Sequence, residues 1–89
     1  MIDFELYRIF VEVAKEGNIT KASEKLNVSQ PAITKKIKNL EEQLSMKLLE
    51  RKSKGVELTL EGKKLYEKIK KPIEELNTID RQVCKEKVI

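Results

Sequence analysis

The sequence predicts a mainly α-helical fold: three short helices, a small β-hairpin and one long closing helix. Three observations carry that prediction. Residues 20–44, TKASEKLNVSQPAITKKIKNLEEQL, read as two helices joined by a tight turn, with Ile33, Ile37, Leu40 and Leu44 at steps of four, three and four along one face of the second. Residues 46–60, MKLLERKSKGVELTL, hold two short strand-like runs, around 47–51 and 56–58, separated by Lys52-Ser53-Lys54-Gly55. Beyond Leu60, apolar residues recur at Leu65, Ile69, Leu76, Ile79 and Val83, the interval of a helix that pairs with another helix.

The first helix is expected over about Phe4–Glu16. Leu6, Ile9, Phe10, Val13 and Ala14 form a core-facing stripe, Asp3 caps the start, and Gly17 stops the end. Nothing in it carries chemistry, and it reads as scaffold. The second helix follows a Gly17-Asn18 stop, with Thr20 read as its cap and Ala22 and Leu26 facing inward. It ends near Leu26-Asn27. Small Ala22 allows close helix approach, and Lys21 stands at the helix N-terminus, where free N–H groups and a cation suit a phosphate. A solvated lysine beside a cap is the plainer alternative.

The third helix has a sharply specified start, with Ser29 as N-cap and Pro31 inside the first turn, where no N–H is needed. Its outward side carries Gln30, Thr34, Lys35 and Lys38, with no carboxylate in the first two turns. A face of amides, hydroxyls and lysines suits an anionic partner with hydrogen-bonding edges, and double-stranded DNA is such a partner. Helix, short turn and capped helix make a helix-turn-helix, whose second helix enters a major groove. Spacing alone is equally compatible with an ordinary helical hairpin in a small bundle.

The hairpin that follows, with Gly55 supplying a residue free to take positive φ, reads as a wing beside that motif. Arg51 and Lys54 stand where they can reach phosphates or the narrow groove; a solvated charged turn is the alternative. Thr59 reads as the cap of the last helix, with Gly62 at a crowded packing point. Running to about Lys85, that helix is ~40 Å long, more than the preceding ~58 residues can cover. Its apolar seam therefore predicts a homodimer through Leu65, Ile69, Leu76, Ile79 and Val83, with Pro72 at the vacant seam position. Pro72 deletes one helical hydrogen bond, so a kink or break near Lys70-Lys71 is expected. Cys84 reads as a half-buried apolar residue near the helix end.

Composition narrows the function. The 89 residues are 39% hydrophobic and 38% charged, with net charge +4 and pI near 9.2, one small domain of a size often helped by association. Charge is unevenly spread. Residues 1–17 carry two basic against four acidic side chains, net −2, whereas residues 35–54 carry seven against three, net +4. Positive charge thus gathers on the third helix and hairpin, as an electrostatic footprint requires. The absence of histidine and the single cysteine exclude His-based acid–base catalysis, Ser-His-Asp triads and a Cys/His zinc site within one protomer. No cofactor and no enzymatic activity are expected, nor any membrane span or signal peptide, and the cysteine usage suits a reducing cytoplasm.

In Leu6, Phe10 and Val13, then NITKASEKLNVSQPAITKKIKNLEEQL, then Leu48-Leu49-Glu50-Arg51 and Leu58-Thr59 before Gly62, the chain resembles the N-terminal DNA-binding domain of LysR-type transcriptional regulators. The resemblance covers residues 3–80. It implies a winged helix-turn-helix over residues 1–58 and a linker helix over 59–89 that pairs antiparallel with its twin. It further implies that Gln30, Pro31, Thr34 and Lys35 contact base edges, with Thr20, Lys21, Ser29 and Lys38 nearer the phosphates and Arg51 and Lys54 as wing contacts. Such regulators act at interrupted palindromes.

Departures from the family pattern are Ser23 for a second alanine, Ser45 for glycine, Leu49 for phenylalanine, Pro72 for an aliphatic residue, and Lys35, Lys38 and Lys54 for arginines. Lysine lacks the bidentate fork, so guanine readout softens and phosphate contact weighs more. The family continues into an effector-binding domain of two α/β lobes, so a small-molecule effector is expected only if a further domain exists. The expected function is sequence-specific DNA binding by a dimeric transcription regulator. The alternative is a winged-helix interaction module with only non-specific DNA affinity.

Overall fold

The computed structural model describes residues 2–86, with side chains through Val83, so the reading of the Cys84 side chain lies outside what is described. Helix α1 (Phe4–Glu16) is followed by α2 (Ile19–Leu26) and α3 (Gln30–Leu44), strands β1 (Leu49–Lys52) and β2 (Gly55–Leu58), and helix α4 (Leu60–Glu86). The mainly α winged helix-turn-helix is the observed architecture.

Each helix begins and ends where local chemistry allows. Asp3 caps α1 by accepting from the Glu5 N–H, and Gly17 closes it in the left-handed region at φ 64°. The cap of α2 is Asn18 rather than Thr20. Asn18 sits in extended backbone and its Oδ1 accepts from the Lys21 N–H at 2.9 Å, which places Thr20 inside the first turn. An asparagine directly before the first apolar helical residue is a strong N-cap, and its carbonyl reaches the third N–H of the helix. Ser29 caps α3 through the Ala32 N–H at 3.3 Å, with Pro31 in the first turn. Ser45 ends α3 at φ 55°, where its N–H reaches the Glu41 and Glu42 carbonyls.

The core is built on α1, which buries Leu6, Ile9, Phe10, Val11 and Val13 because α2 and α3 pack on one side and α4 on another. Ala22, Ile33, Ile37, Leu40, Leu48 and Leu49 complete it, together with Ile73 of α4. Ile73 lies outside the 65-69-76-79-83 spacing. It is 4% exposed, and half-buried Leu65 and Ile69 pack against the same cluster. The first half of α4 is therefore part of the domain body.

The strands pair antiparallel with Leu49 opposite Leu58, Glu50 opposite Glu57, Arg51 opposite Val56 and Lys52 opposite Gly55. The loop is thus Ser53-Lys54 alone, one residue tighter at each side than the hairpin read from sequence. Gly55 (φ 134°) lies against the Gly17 carbonyl, where a Cβ would collide, and the Val56 N–H donates to that carbonyl at 3.0 Å. The wing is thereby pinned to the α1–α2 turn.

Thr59 opens α4, accepting from the Gly62 N–H at 3.0 Å and donating to the Lys47 carbonyl at 2.6 Å. The helix runs without a break through Pro72. The expected break fails because Ile69 and Ile73, on either side of the proline, are both held by the core. Pro72 itself faces solvent, as does Lys68, whose carbonyl loses the N–H.

Candidate nucleic-acid interface

All ten residues expected to meet DNA are exposed: Thr20, Lys21, Ser29, Gln30, Pro31, Thr34, Lys35, Lys38, Arg51 and Lys54. Six of them line one shallow groove between α3 and the wing. Gln30, Thr34 and Lys38 stand one turn apart along the helix, Pro31 and Lys35 form the adjacent row, and Arg51 closes the side from β1. The buried Ile33, Ile37 and Leu40 hold the opposite face of the helix against the core, which fixes which side chains look outward.

Arg51 reaches this groove because of strand alternation. It shares a face of β1 with buried Leu49, two residues earlier, while Glu50 and Lys52 share the other face and pair at 3.4 Å. Its Nη2 donates to Thr34 Oγ1 at 3.1 Å, a direct bond between wing and helix. A second shallow groove adjoins the first, lined by Asn18, Ile19, Thr20, Gln30, Arg51, Lys52, Gly55 and Val56. Gln30 and Arg51 belong to both. Lys21, Ser29 and Lys54 lie outside the two grooves.

The electrostatics follow from which cations are paired. Among the described residues, Arg8, Lys15, Lys25 and Lys52 bond to carboxylates, whereas Lys21, Lys35, Lys38, Arg51 and Lys54 do not. No acidic residue stands in the first turn of α2 or α3, so the positive ends of both helix dipoles remain uncompensated on this side. Free cations, free N–H ends and neutral hydrogen-bonding groups coincide on one surface, the chemistry that phosphates and base edges require of a partner.

Asn18, Ile19 and Lys52 join this surface without having been singled out in the sequence; the N-cap rule was the available signal for Asn18. Glu41 was missed as well. Its Oε2 accepts from the Leu48 and Leu49 N–H groups at 2.8 and 3.2 Å, tying the start of the wing to the recognition helix.

The expected dimer residues divide. Leu65 and Ile69 are half-buried in the domain body, Pro72 is exposed, and Leu76, Ile79 and Val83 are 46%, 54% and 49% exposed along the part of α4 that outruns the core. The molecule measures 44 × 26 × 19 Å, its long axis comparable to the ~40 Å that 27 helical residues span. No helix among the described residues is long and apolar enough to cross a membrane, and no cluster of three or more metal-binding side chains is found among them.

Residues 4–63 match the family described as "Bacterial regulatory helix-turn-helix protein, lysR family". The regulator ClcR of Pseudomonas putida is 48% identical over 61 residues, 68% of this chain and 21% of its own length. BenM of Acinetobacter baylyi is 42% identical over 82 residues, 92% of this chain and 26% of its own length. The chain thus spans about a quarter or less of these curated relatives. A crystal structure of the BenM DNA-binding domain with catB site 1 DNA superposes at TM-score 0.76 with 38% identity, covering 97% of this chain and 93% of that one. By its match over two thirds of its residues and by this shared architecture, the chain belongs to the LysR family of bacterial helix-turn-helix regulators.

Proposed function

We propose that this chain binds double-stranded DNA sequence-specifically, as the DNA-binding and dimerising part of a cytoplasmic transcription regulator. One observation carries the reading above the others: the outer face of the first turns of α3, which bears no carboxylate from Gln30 to Lys38, and Arg51 of the wing, which no carboxylate pairs, line a single groove. In this reading α3 lies in a major groove. Gln30, Pro31, Thr34 and Lys35 meet base edges, Thr20, Lys21, Ser29 and Lys38 stand nearer the phosphates, and Arg51 and Lys54 follow the backbone into the minor groove. That the similar BenM domain has been crystallised with its catB site 1 DNA supports DNA as the partner.

Residues 1–58 then do the reading and 59–89 the pairing, with the first turns of α4 serving both. Two protomers joined through Leu76, Ile79 and Val83, with Leu65, Ile69 and Pro72 at the edge of the contact, would match an interrupted palindrome. A small-molecule effector belongs to this account only where a further domain accompanies the chain, and no cofactor is needed for it.

The exposed stripe on α4 also favours a second reading, an interaction module with only non-specific DNA affinity. Charge reversal separates the two. Lys35→Glu with Lys38→Glu abolishes specific DNA binding and leaves dimerisation intact if the first reading holds. Retained binding by that variant moves the function to α4.

A further inference from the structure

The hydrogen bond between wing and recognition helix assigns a role to Thr34 beyond facing the DNA, and this inference rests on the DNA-binding reading above. We propose that Thr34 is a positioning residue: its hydroxyl oxygen holds the Arg51 guanidinium against α3, and its own proton is thereby directed outward as a donor.

The geometry begins with the backbone under each partner. Arg51 lies on β1 opposite Val56, whose N–H is bonded to the Gly17 carbonyl at 3.0 Å, and follows buried Leu49 on the same strand face. Thr34 lies one residue after Ile33, which is fully buried. Both ends of the bridge are thus anchored. Between them Arg51 Nη2 stands 3.1 Å from Thr34 Oγ1, and among the described residues no carboxylate competes for the guanidinium.

Two consequences follow from the chemistry of the groups. An arginine side chain has several rotatable bonds, and a free one must be ordered when it meets a phosphate. Held by Thr34, Arg51 is ordered beforehand, with most of its five donors still available. A hydroxyl has one donor and two acceptor positions, and here one acceptor position is taken by a cation. The adjacent positive charge disfavours a second donor at that oxygen, so the hydroxyl gives its proton to whatever it meets. In a major groove such a group donates to guanine O6 or N7, adenine N7 or thymine O4, and disfavours the amino group of cytosine, itself a donor.

The test uses Thr34→Val, which keeps the shape and removes the hydroxyl, Thr34→Ser, which keeps the hydroxyl, Arg51→Gln, and the Val/Gln double variant. The first readout needs no DNA: 15N-resolved spectra of the arginine side chains in the free protein. Arg51 shows slowed guanidinium rotation in the wild type and in Thr34→Ser, and free rotation in Thr34→Val. The second readout is affinity for a duplex selected by the wild type from a random library. Thr34→Val and Arg51→Gln each weaken binding about tenfold, the double variant by clearly less than the product of the two, and Thr34→Ser less than threefold. In parallel selections, wild type excludes cytosine at one position that Thr34→Val tolerates.

Unchanged Arg51 dynamics in Thr34→Val, losses that multiply in the double variant, or identical base preference in both selections would overturn the assignment. Failure of the wild type to select any duplex would instead overturn the DNA-binding reading. In that case the spectra still decide the bridge.

Discussion

Glu41, at the start of the last turn of α3, holds the backbone amides that lead into the wing: its carboxylate accepts the Leu48 N–H at 2.8 Å and the neighbouring Leu49 N–H at 3.2 Å. Both leucines are buried, so water cannot easily replace the carboxylate. Glu41→Ala leaves two N–H groups without an acceptor and costs about 1–3 kcal/mol for each that stays dry. Glu41→Gln keeps one carbonyl acceptor and loses less. Urea unfolding of both variants checks the order; equal stability of wild type and Glu41→Ala would contradict it.

Gly62 and Ser45 give opposite expectations for the exchange of glycine with a side chain. Helix propensity alone predicts that Gly62→Ala stabilises α4 by about 1 kcal/mol. The position allows no Cβ, because the Leu48 carbonyl lies directly against it. The substitution therefore destabilises by about 1–3 kcal/mol. Ser45, held at φ 55°, is a residue with a Cβ in left-handed backbone. Ser45→Gly stabilises by on the order of 1 kcal/mol. Thermal unfolding of the two variants reads both signs.

The helical body was legible in the sequence because its apolar spacing and its caps agree. Ser29, Pro31 and Gly17 each mark a boundary that needs only local chemistry. The wing was legible in place, though its loop proved tighter than read. What escaped were features set by tertiary neighbours. Val11 is buried because α1 is covered on more than one side. Ile73 is drawn into the core by the path of α4, one residue beyond the proline that suggested a break. The Arg51–Thr34 bridge spans 17 residues and has no signature in either segment. Exposure of the ten proposed DNA contacts was readable from the helix face and the hairpin tip, whereas their division into grooves was not.

Isoleucines on the two halves of α4 respond differently. Ile73→Ala removes a buried side chain and costs about 2–5 kcal/mol of folding stability. Ile79→Glu, at a position 54% exposed, leaves each protomer's fold intact and shifts the molecule toward monomer. Sedimentation with circular dichroism separates the outcomes. A dimer that persists in Ile79→Glu together with Leu76→Glu would place the contact elsewhere.

Glu16, at the end of α1, pairs with Lys25 of α2 at 3.3 Å, and the hydrogen bond from Lys25 is the leading cause that holds its carboxyl below the ordinary 4.5. Coulombic attraction from Lys25 and Lys21 and a hydrogen bond with Glu12 act in the same direction, against partial desolvation. A carboxyl lowered in the folded state contributes stability that is present above its unfolded value and fades as pH falls through the folded one. An NMR titration of Glu16 therefore shows its midpoint below 4.5, rising in Lys25→Gln. No change in that variant would remove Lys25 as the cause.

The central claim is tested by fluorescence anisotropy of the wild-type protein over a salt series, on a selected interrupted palindrome and on a scrambled duplex. A dimer neutralising ~6–8 phosphates gives a log–log slope of about −5 to −7, with tighter binding to the palindrome at every salt concentration. No binding at low salt, or a steep slope with equal affinity for both duplexes, would contradict sequence-specific recognition by the α3 and wing surface.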